Sequence, residues 1–195
     1  MHRLPLFPLP TIVYPGVPMP LHVFEPRYRQ LVARCMEGDR RFGMVYHDPD
    51  VHGPFLLEPN VVGCVAEIVQ VQAITDGRSM ILIRGMERFV VRDGIESGTP
   101  YYEGLVEEYA DEPEDAATLL DRRRHSLELF RTVMERVTRA AEPVPPVDEA
   151  GLVSYQIAQW IYIDPAWRQQ LLELRSEAAR LDQVDTLLNT ALEEL

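Results

Sequence analysis

Lysine is absent from this chain of 195 residues, and all 19 of its basic residues are arginine. Every chemistry that needs a lysine is thereby excluded: Schiff bases, a Ser-Lys dyad, and the lysine of a phosphate-cradling P-loop. The zinc-protease pattern H-E-x-x-H, the dinucleotide pattern G-x-G-x-x-G and the nucleophile elbow G-x-S-x-G are missing as well. With only 2 cysteines, Cys35 and Cys64, there is no disulfide framework, and a reducing cytoplasm is the expected compartment. No window approaches the roughly 18 apolar residues a membrane-crossing helix needs. Prolines at 5, 8 and 10 interrupt the apolar N-terminus, which the core of a signal peptide would not tolerate.

What is present is ordinary in amount and uneven in placement. Apolar residues make up 46% and charged residues 26%, as in soluble globular proteins. The net charge of −12 arises wholly in the second half: residues 1–95 carry 10 Arg against 10 Asp+Glu, and residues 96–195 carry 9 against 21. Nucleic-acid binders usually present a basic face, so this balance argues against that class. Ten of the 11 glycines precede residue 105, whereas 114–142 and 166–195 contain neither glycine nor proline. Short turn-bounded segments followed by uninterrupted ones predict a β-rich part over 1–112 and a helical part over 113–195.

In the first part, alternating prolines hold residues 4–24 extended, and Tyr14-Pro15-Gly16 reads as a turn. A helix over Glu25–Glu37 shows Tyr28, Leu31, Val32, Cys35 and Met36 on one face, with Gly38 as its stop. Strands are predicted at Phe42–His47, Val61–Thr75, Ser79–Arg84, Arg88–Asp93 and Tyr102–Tyr109. The alternation of Val61–Thr75 changes phase near Ile68-Val69, which predicts a bulge or a strand buried on both faces. Asp76-Gly77 marks a hairpin. Closely spaced strands around one helix favour a small, partly closed barrel over a parallel sheet. In the second part, Asp111-Glu112-Pro113 reads as a helix start, followed by a stripe of Leu120, Leu127, Phe130, Met134 and Val137. Glu142–Val147 reads as a stiff proline linker. Asp148, Asp164 and Ser176 are predicted caps of three further helices, the first running through Trp160.

Several constellations carry potential chemistry. His47-Asp48-Pro49-Asp50-Val51-His52 gathers two imidazoles and two carboxylates, as a metal-dependent hydrolase would need, but its spacing fits no strong template and its Pro and Asp are ordinary turn residues. The run Glu103–Asp115 holds seven carboxylates and no base, and reads as a solvated edge strand followed by acids at a helix start. Arg122-Arg123-Arg124 would form a phosphate patch only if contiguous, and successive helical residues are turned about 100° apart. Cys35 and Cys64 fall on apolar positions and read as buried thiols. His22 and Glu25 have no nucleophile near them in sequence. No catalytic residue, metal or cofactor is implied. What remains is large apolar residues in stiffened loops: Tyr14, Val17 and Met19 among prolines, and Phe55 and Leu56 between Gly53-Pro54 and Pro59-Asn60. They suit either a polypeptide-binding surface or a cover for the ends of the β-rich part.

Leu4-Pro5-Leu6-Phe7-Pro8-Leu9, Tyr14-Pro15-Gly16 and Pro20-Leu21-His22-Val23-Phe24-Glu25-Pro26-Arg27-Tyr28 together resemble the opening of the Lon protease N-terminal (LON) domain, closest to its free-standing bacterial type. Gly63-Cys64-Val65-Ala66-Glu67-Ile68, the Asp76-Gly77 hairpin, Ile83-Arg84-Gly85-Met86-Glu87-Arg88-Phe89 and Pro100-Tyr101-Tyr102 follow in the family's order. Tyr155–Leu195 is similar to its trailing helices. The resemblance implies an α+β fold, a PUA-like small β-barrel enclosing a helix, followed by a C-terminal helical bundle. It also implies binding without catalysis, since the chain ends where ATPase and Ser-Lys protease domains would follow and has no lysine for either. The expected partners are unfolded or apolar polypeptide segments, or one specific protein. The alternative from another class is an RNA-binding PUA-like protein, which would need a basic groove on residues 1–95.

Overall fold

The computed structural model describes residues 1–138, 143–161 and 163–195. It divides into two compact units, Met1–Ala110 and Asp111–Leu195. The first holds six strands: β1 (His2–Leu9), β2 (Pro18–Val23), β3 (Arg41–Tyr46), β4 (Val62–Ala73), β5 (Ser79–Gly94) and β6 (Tyr102–Glu108). Between them lie α1 (Pro26–Met36) and a single turn, α2 (Pro49–His52). The strand order is β2-β5-β4-β3-β1-β6, and β6 also pairs with β5. The pairings thus run β5–β4–β3–β1–β6 and back to β5, leaving β2 as the strand outside the ring. Only β1 and β3 run parallel.

Phe89 fills the middle of this ring, packed with Leu4, Leu6, Val45, Val65, Val91 and Val106. Two glycines make room for it: a Cβ on Gly43 would lie 2.7 Å from the Phe89 ring, and one on Gly63 would lie 2.6 Å from it. Side chains alternate along a strand, so Phe7 faces away from Leu6. Its ring stacks on Tyr28 of α1 with centroids 3.8 Å apart. The helix therefore packs on the face of β1 opposite the Phe89 cluster.

The bulge expected near Ile68-Val69 is present, with a register shift between Ile68 and Gln70. Asp76 and Gly77 both have positive φ, 74° and 73°, in the turn joining β4 to β5. The two short strands expected at 79–84 and 88–93 are one strand. Gly85 interrupts the sequence pattern for another reason: a Cβ there would meet the Tyr14 carbonyl oxygen at 2.0 Å. The Tyr14–Val17 turn lies on that glycine, with Gly16 N–H donating to Gly85 O at 2.8 Å and Gly85 N–H to Val17 O at 3.0 Å. In α1, Tyr28, Leu31, Val32 and Cys35 are buried as expected, but Met36 is exposed. The left-handed residue after this helix is Arg40, not Gly38.

The second unit contains α3 (Ala116–Val137), α4 (Val153–Ala158), α5 (Pro165–Glu173) and α6 (Glu177–Glu194). α3 starts later than Asp111-Glu112-Pro113, because its cap is Asp115, whose carboxylate accepts from Thr118 N–H at 2.8 Å. Its buried face is Ser126, Leu127, Phe130 and Val133, leaving Leu120 and Val137 exposed. Asp164 and Ser176 cap α5 and α6 as expected. Asp148 does not cap α4. It closes a turn instead, accepting from Ala150 N–H at 3.0 Å, while its own N–H donates to the Gln156 side chain. Trp160 falls after α4 and is exposed. Of the expected proline linker, Glu142 lies outside the described residues, and Val144–Val147 line a small hollow with Leu127 and Phe130.

The acidic run is not a solvated edge. β6 is paired on both sides. Glu103 is buried and accepts from Arg3 Nε at 2.9 Å. Asp111 receives two bonds from the fully buried Arg180, at 2.8 and 2.6 Å. Glu114 accepts from the N–H groups of Glu177 and Ala178, at 2.7 and 3.0 Å, supplementing the cap of α6. The three consecutive arginines bind three different carboxylates, Asp182, Glu177 and Asp121, as their angular spread requires.

Candidate functional site

Residues 53–61 form a strap held at both ends by unusual backbone. Gly53 has φ 71° and ψ −153°, a region open essentially to glycine. Asn60 has φ 69°, in the left-handed region that asparagine tolerates. The strap is tied down where Asn60 N–H donates to Val91 O at 2.7 Å and Arg92 donates to the Asn60 side chain at 3.1 Å. Phe55 and Leu57 pack inward against the cluster around Phe89. Leu56, between them, is 77% exposed. A run of three apolar residues thus splits into two anchors and one presented side chain.

Beside the strap lies a cavity of about 240 Å³, lined by Tyr46, His47, His52, Phe55, Leu56 and Glu58. Its walls are rings set at steep angles: His47 meets Phe55 edge-on at 5.0 Å, and His52 meets Tyr46 edge-on at 6.0 Å. Phe55 in turn meets Tyr102 at 4.6 Å, and the Arg27 guanidinium lies over Tyr102 and Tyr28. α2 fixes the two imidazoles. Asp48 caps it through Asp50 N–H at 3.0 Å, Gly53 O accepts from His47 Nε2 at 2.9 Å, and Asp48 O accepts from His52 Nδ1 at 3.1 Å. The carboxylate of Asp48 is therefore occupied as a cap. Among the described residues, no group of three or more His, Cys, Asp or Glu converges as metal ligands would.

The five residues singled out in sequence do not form one surface. Tyr14 and Val17 are buried, because the proline-bounded turn folds back onto Gly85. Met19 is half-buried on β2, opposite Ile83. Phe55 and Leu56 do come together, at the cavity mouth. Tyr46, Glu58, Tyr102 and Arg27 were not anticipated there; the aromatic density flanking the two histidines was the available signal. β2 presents a poor edge for strand addition, since Pro18 and Pro20, at alternate positions, lack an N–H to donate.

A larger hollow of about 440 Å³ is lined by Arg3, Arg34, Cys35, Arg41, Tyr101 and Glu103, among others. Its charges are met internally: Arg3 by Glu103, and Arg41 by Glu87 at 3.3 Å. Burial pushes the thiols of Cys35 and Cys64 up to about 12, far from the thiolate a nucleophile requires. Burial likewise raises the Tyr28 phenol to about 12, against the opposing pull of the Arg27 guanidinium. Glu25 accepts from Arg27 Nε at 2.9 Å.

Comparison with known proteins accords with this architecture. The family model described as the ATP-dependent protease La (LON) substrate-binding domain matches residues 3–190. A Lon protease of Xanthomonas oryzae pv. oryzae is 27% identical over 92% of this chain, which spans only 22% of that relative's length. The crystal structure of a Lon N-terminal domain protein from Xanthomonas campestris superposes with a TM-score of 0.66 at 26% identity, covering 94% of this chain and 97% of that one. The N-terminal domain of a Mycobacterium avium complex Lon protease has the same fold, with a TM-score of 0.72 at 19% identity over 96% of this chain and 98% of that one. With the family's sequence pattern running nearly end to end and its fold shared by solved members, this chain belongs to the ATP-dependent protease La (LON) substrate-binding domain family.

Proposed function

We propose that this chain is a polypeptide-recognition module with no catalysis of its own, built on a small β-barrel of the PUA-like kind. The observation that carries this reading is the substrate-binding family pattern over residues 3–190. The ring of strand pairings closing through β5–β6 supports the barrel. The paired or buried state of the most reactive side chains supports the absence of catalysis. Phe55 and Leu56, with Met19 as a lesser contributor, are the contact residues we assign. Tyr14 and Val17 are buried in the turn over Gly85 and make no such contact. The two buried free thiols suit a reducing compartment, the cytoplasm.

Fluorescence anisotropy against labelled apolar or unfolded peptides, and against short single-stranded RNA, at two salt concentrations, tests the proposal. Peptide binding that persists at the higher salt and weakens on Leu56→Ser is the expected outcome. RNA binding that falls steeply with salt, without peptide binding, overturns it.

A further inference from the structure

The cavity beside the strap has a chemical bias that its apolar lining conceals. His47 Nε2 and His52 Nδ1 are each committed to a backbone carbonyl. In a neutral imidazole, the other nitrogen of each ring is then a lone-pair acceptor. The cavity is thus lined by two imidazoles, the Glu58 carboxylate, and the aromatic rings of Tyr46 and Phe55. The surrounding charge leans acidic: no arginine or lysine lies between Arg41 and Arg78, while Asp48, Asp50, Glu58, Glu67 and Asp76 do, and Arg92 reaches only the far end of the strap, at Asn60. A volume of about 240 Å³ admits one large side chain and little more. A group made only of donors, positively charged and flat or slender enough to lie against rings, complements these walls.

We propose that this cavity is a subsite for one cationic side chain, arginine or lysine, of a bound polypeptide. The proposal rests on the polypeptide-recognition reading and names what that site selects. Phe55 and Tyr46 supply the ring faces, Glu58 the opposing charge, and the free nitrogens of His47 and His52 the hydrogen-bond acceptors. Leu56, projecting at the mouth, contacts the peptide on either side of the inserted residue.

The test is a ¹H–¹⁵N NMR titration of the full chain with Gly/Ser peptides that differ at one central position: arginine, its neutral isostere citrulline, lysine, or norleucine. The arginine and lysine peptides should shift the resonances of His47, His52 and Phe55. Citrulline and norleucine should bind about 5-fold or more weakly, and Glu58→Gln should cost the cationic peptides about as much. Glu58 is exposed, so the thermal midpoint of this variant should equal that of the parent. Equal or tighter binding of norleucine makes the cavity an apolar one and overturns the proposal. So do shifts confined to another surface. Unfolded polypeptides that still bind, indifferent to Glu58→Gln, overturn the subsite and leave the recognition module standing. The converse is shifts at the same three residues with free Nα-acetylarginine methylamide, while no peptide binds. That result keeps the cation site and removes the recognition reading.

Discussion

Phe89 in the strand-rich unit and Arg180 in the helical unit are both wholly enclosed, and their surroundings are opposites. Phe89 is surrounded by leucines and valines and seated over two glycines. Arg180 is met by the Asp111 carboxylate, the Leu174 carbonyl at 2.7 Å, the Ser154 hydroxyl at 3.2 Å and the Tyr155 ring at 4.5 Å. Nearby, the buried Glu177 accepts from Arg123 Nε at 3.0 Å. The first unit gains its centre from close packing, whose worth scales with apolar area and fit. The second has a charged centre, where each partner matters because the alternative is a stranded charge. Packing is local and tolerant of conservative change, whereas a buried network is unforgiving of single deletions and indifferent to wholesale apolar replacement.

The two kinds of centre can be probed separately in one sample, because both cysteines lie in the first unit and both tryptophans, Trp160 and Trp167, in the second. Thiol labelling of Cys35 and Cys64 reports opening of the strand-rich unit, and tryptophan fluorescence reports the helical one. The largest effect belongs to Phe89→Ala, which empties the middle of the ring and should cost about 3–5 kcal/mol. It should speed thiol labelling markedly and move the tryptophan-detected transition much less. Equal shifts of both probes would show that the two centres are energetically one.

Asp111→Ala comes next. It leaves the Arg180 guanidinium enclosed without its carboxylate, at about 3 kcal/mol, the low end for a broken buried pair because Asp111 itself is partly solvated. Tryptophan-detected denaturation should carry the loss. The sharper contrast is the double variant Arg180→Met with Asp111→Leu, which removes both charges and should recover most of that stability. A double variant as unstable as Asp111→Ala would mean that the bonds to Leu174 and Ser154, rather than the charge pair, hold this centre.

Local features of the first unit could be read from sequence because they are set by neighbours. The Asp76-Gly77 turn needs two positive-φ residues, the phase change at Ile68-Val69 reports its own bulge, and the buried face of α1 follows helical spacing. Local sequence misleads where distant chain decides. Gly85 looked like a strand break because the residue that needs its missing side chain is Tyr14. Tyr14 and Val17 suit either a presented surface or a cover in sequence, and the glycine that decides for the cover, Gly85, lies far along the chain. The acidic run looked solvated because Arg3, Arg180 and the start of α6 lie far along the chain from the carboxylates they bind. At the candidate site, Phe55 and Leu56 were legible as apolar loop residues. Their division into anchor and presented side chain was not, since it depends on the left-handed turns at Gly53 and Asn60 and on the core cluster beneath.

The smallest effect separates charge from packing most cleanly. Burial tends to raise the Glu114 carboxyl, but the N–H groups of Ala178 and Glu177, with the Ser176 hydroxyl, outweigh it and hold that carboxyl below the ordinary glutamate range. A carboxyl lowered in the folded state contributes stability that is fully present above its unfolded value, near 4.3, and lost as pH falls through the folded one. Glu114→Gln should therefore cost the helical unit about 1 kcal/mol near neutral pH, the usual worth of a helix cap. The difference from the parent should shrink to nothing as the pH drops below the lowered value. Tryptophan-detected urea midpoints at a series of pH values give this directly. A cost that stays constant down to the acid limit would show that Glu114 acts by shape alone, and that the polar character of the helical unit resides wholly in the Arg180 centre.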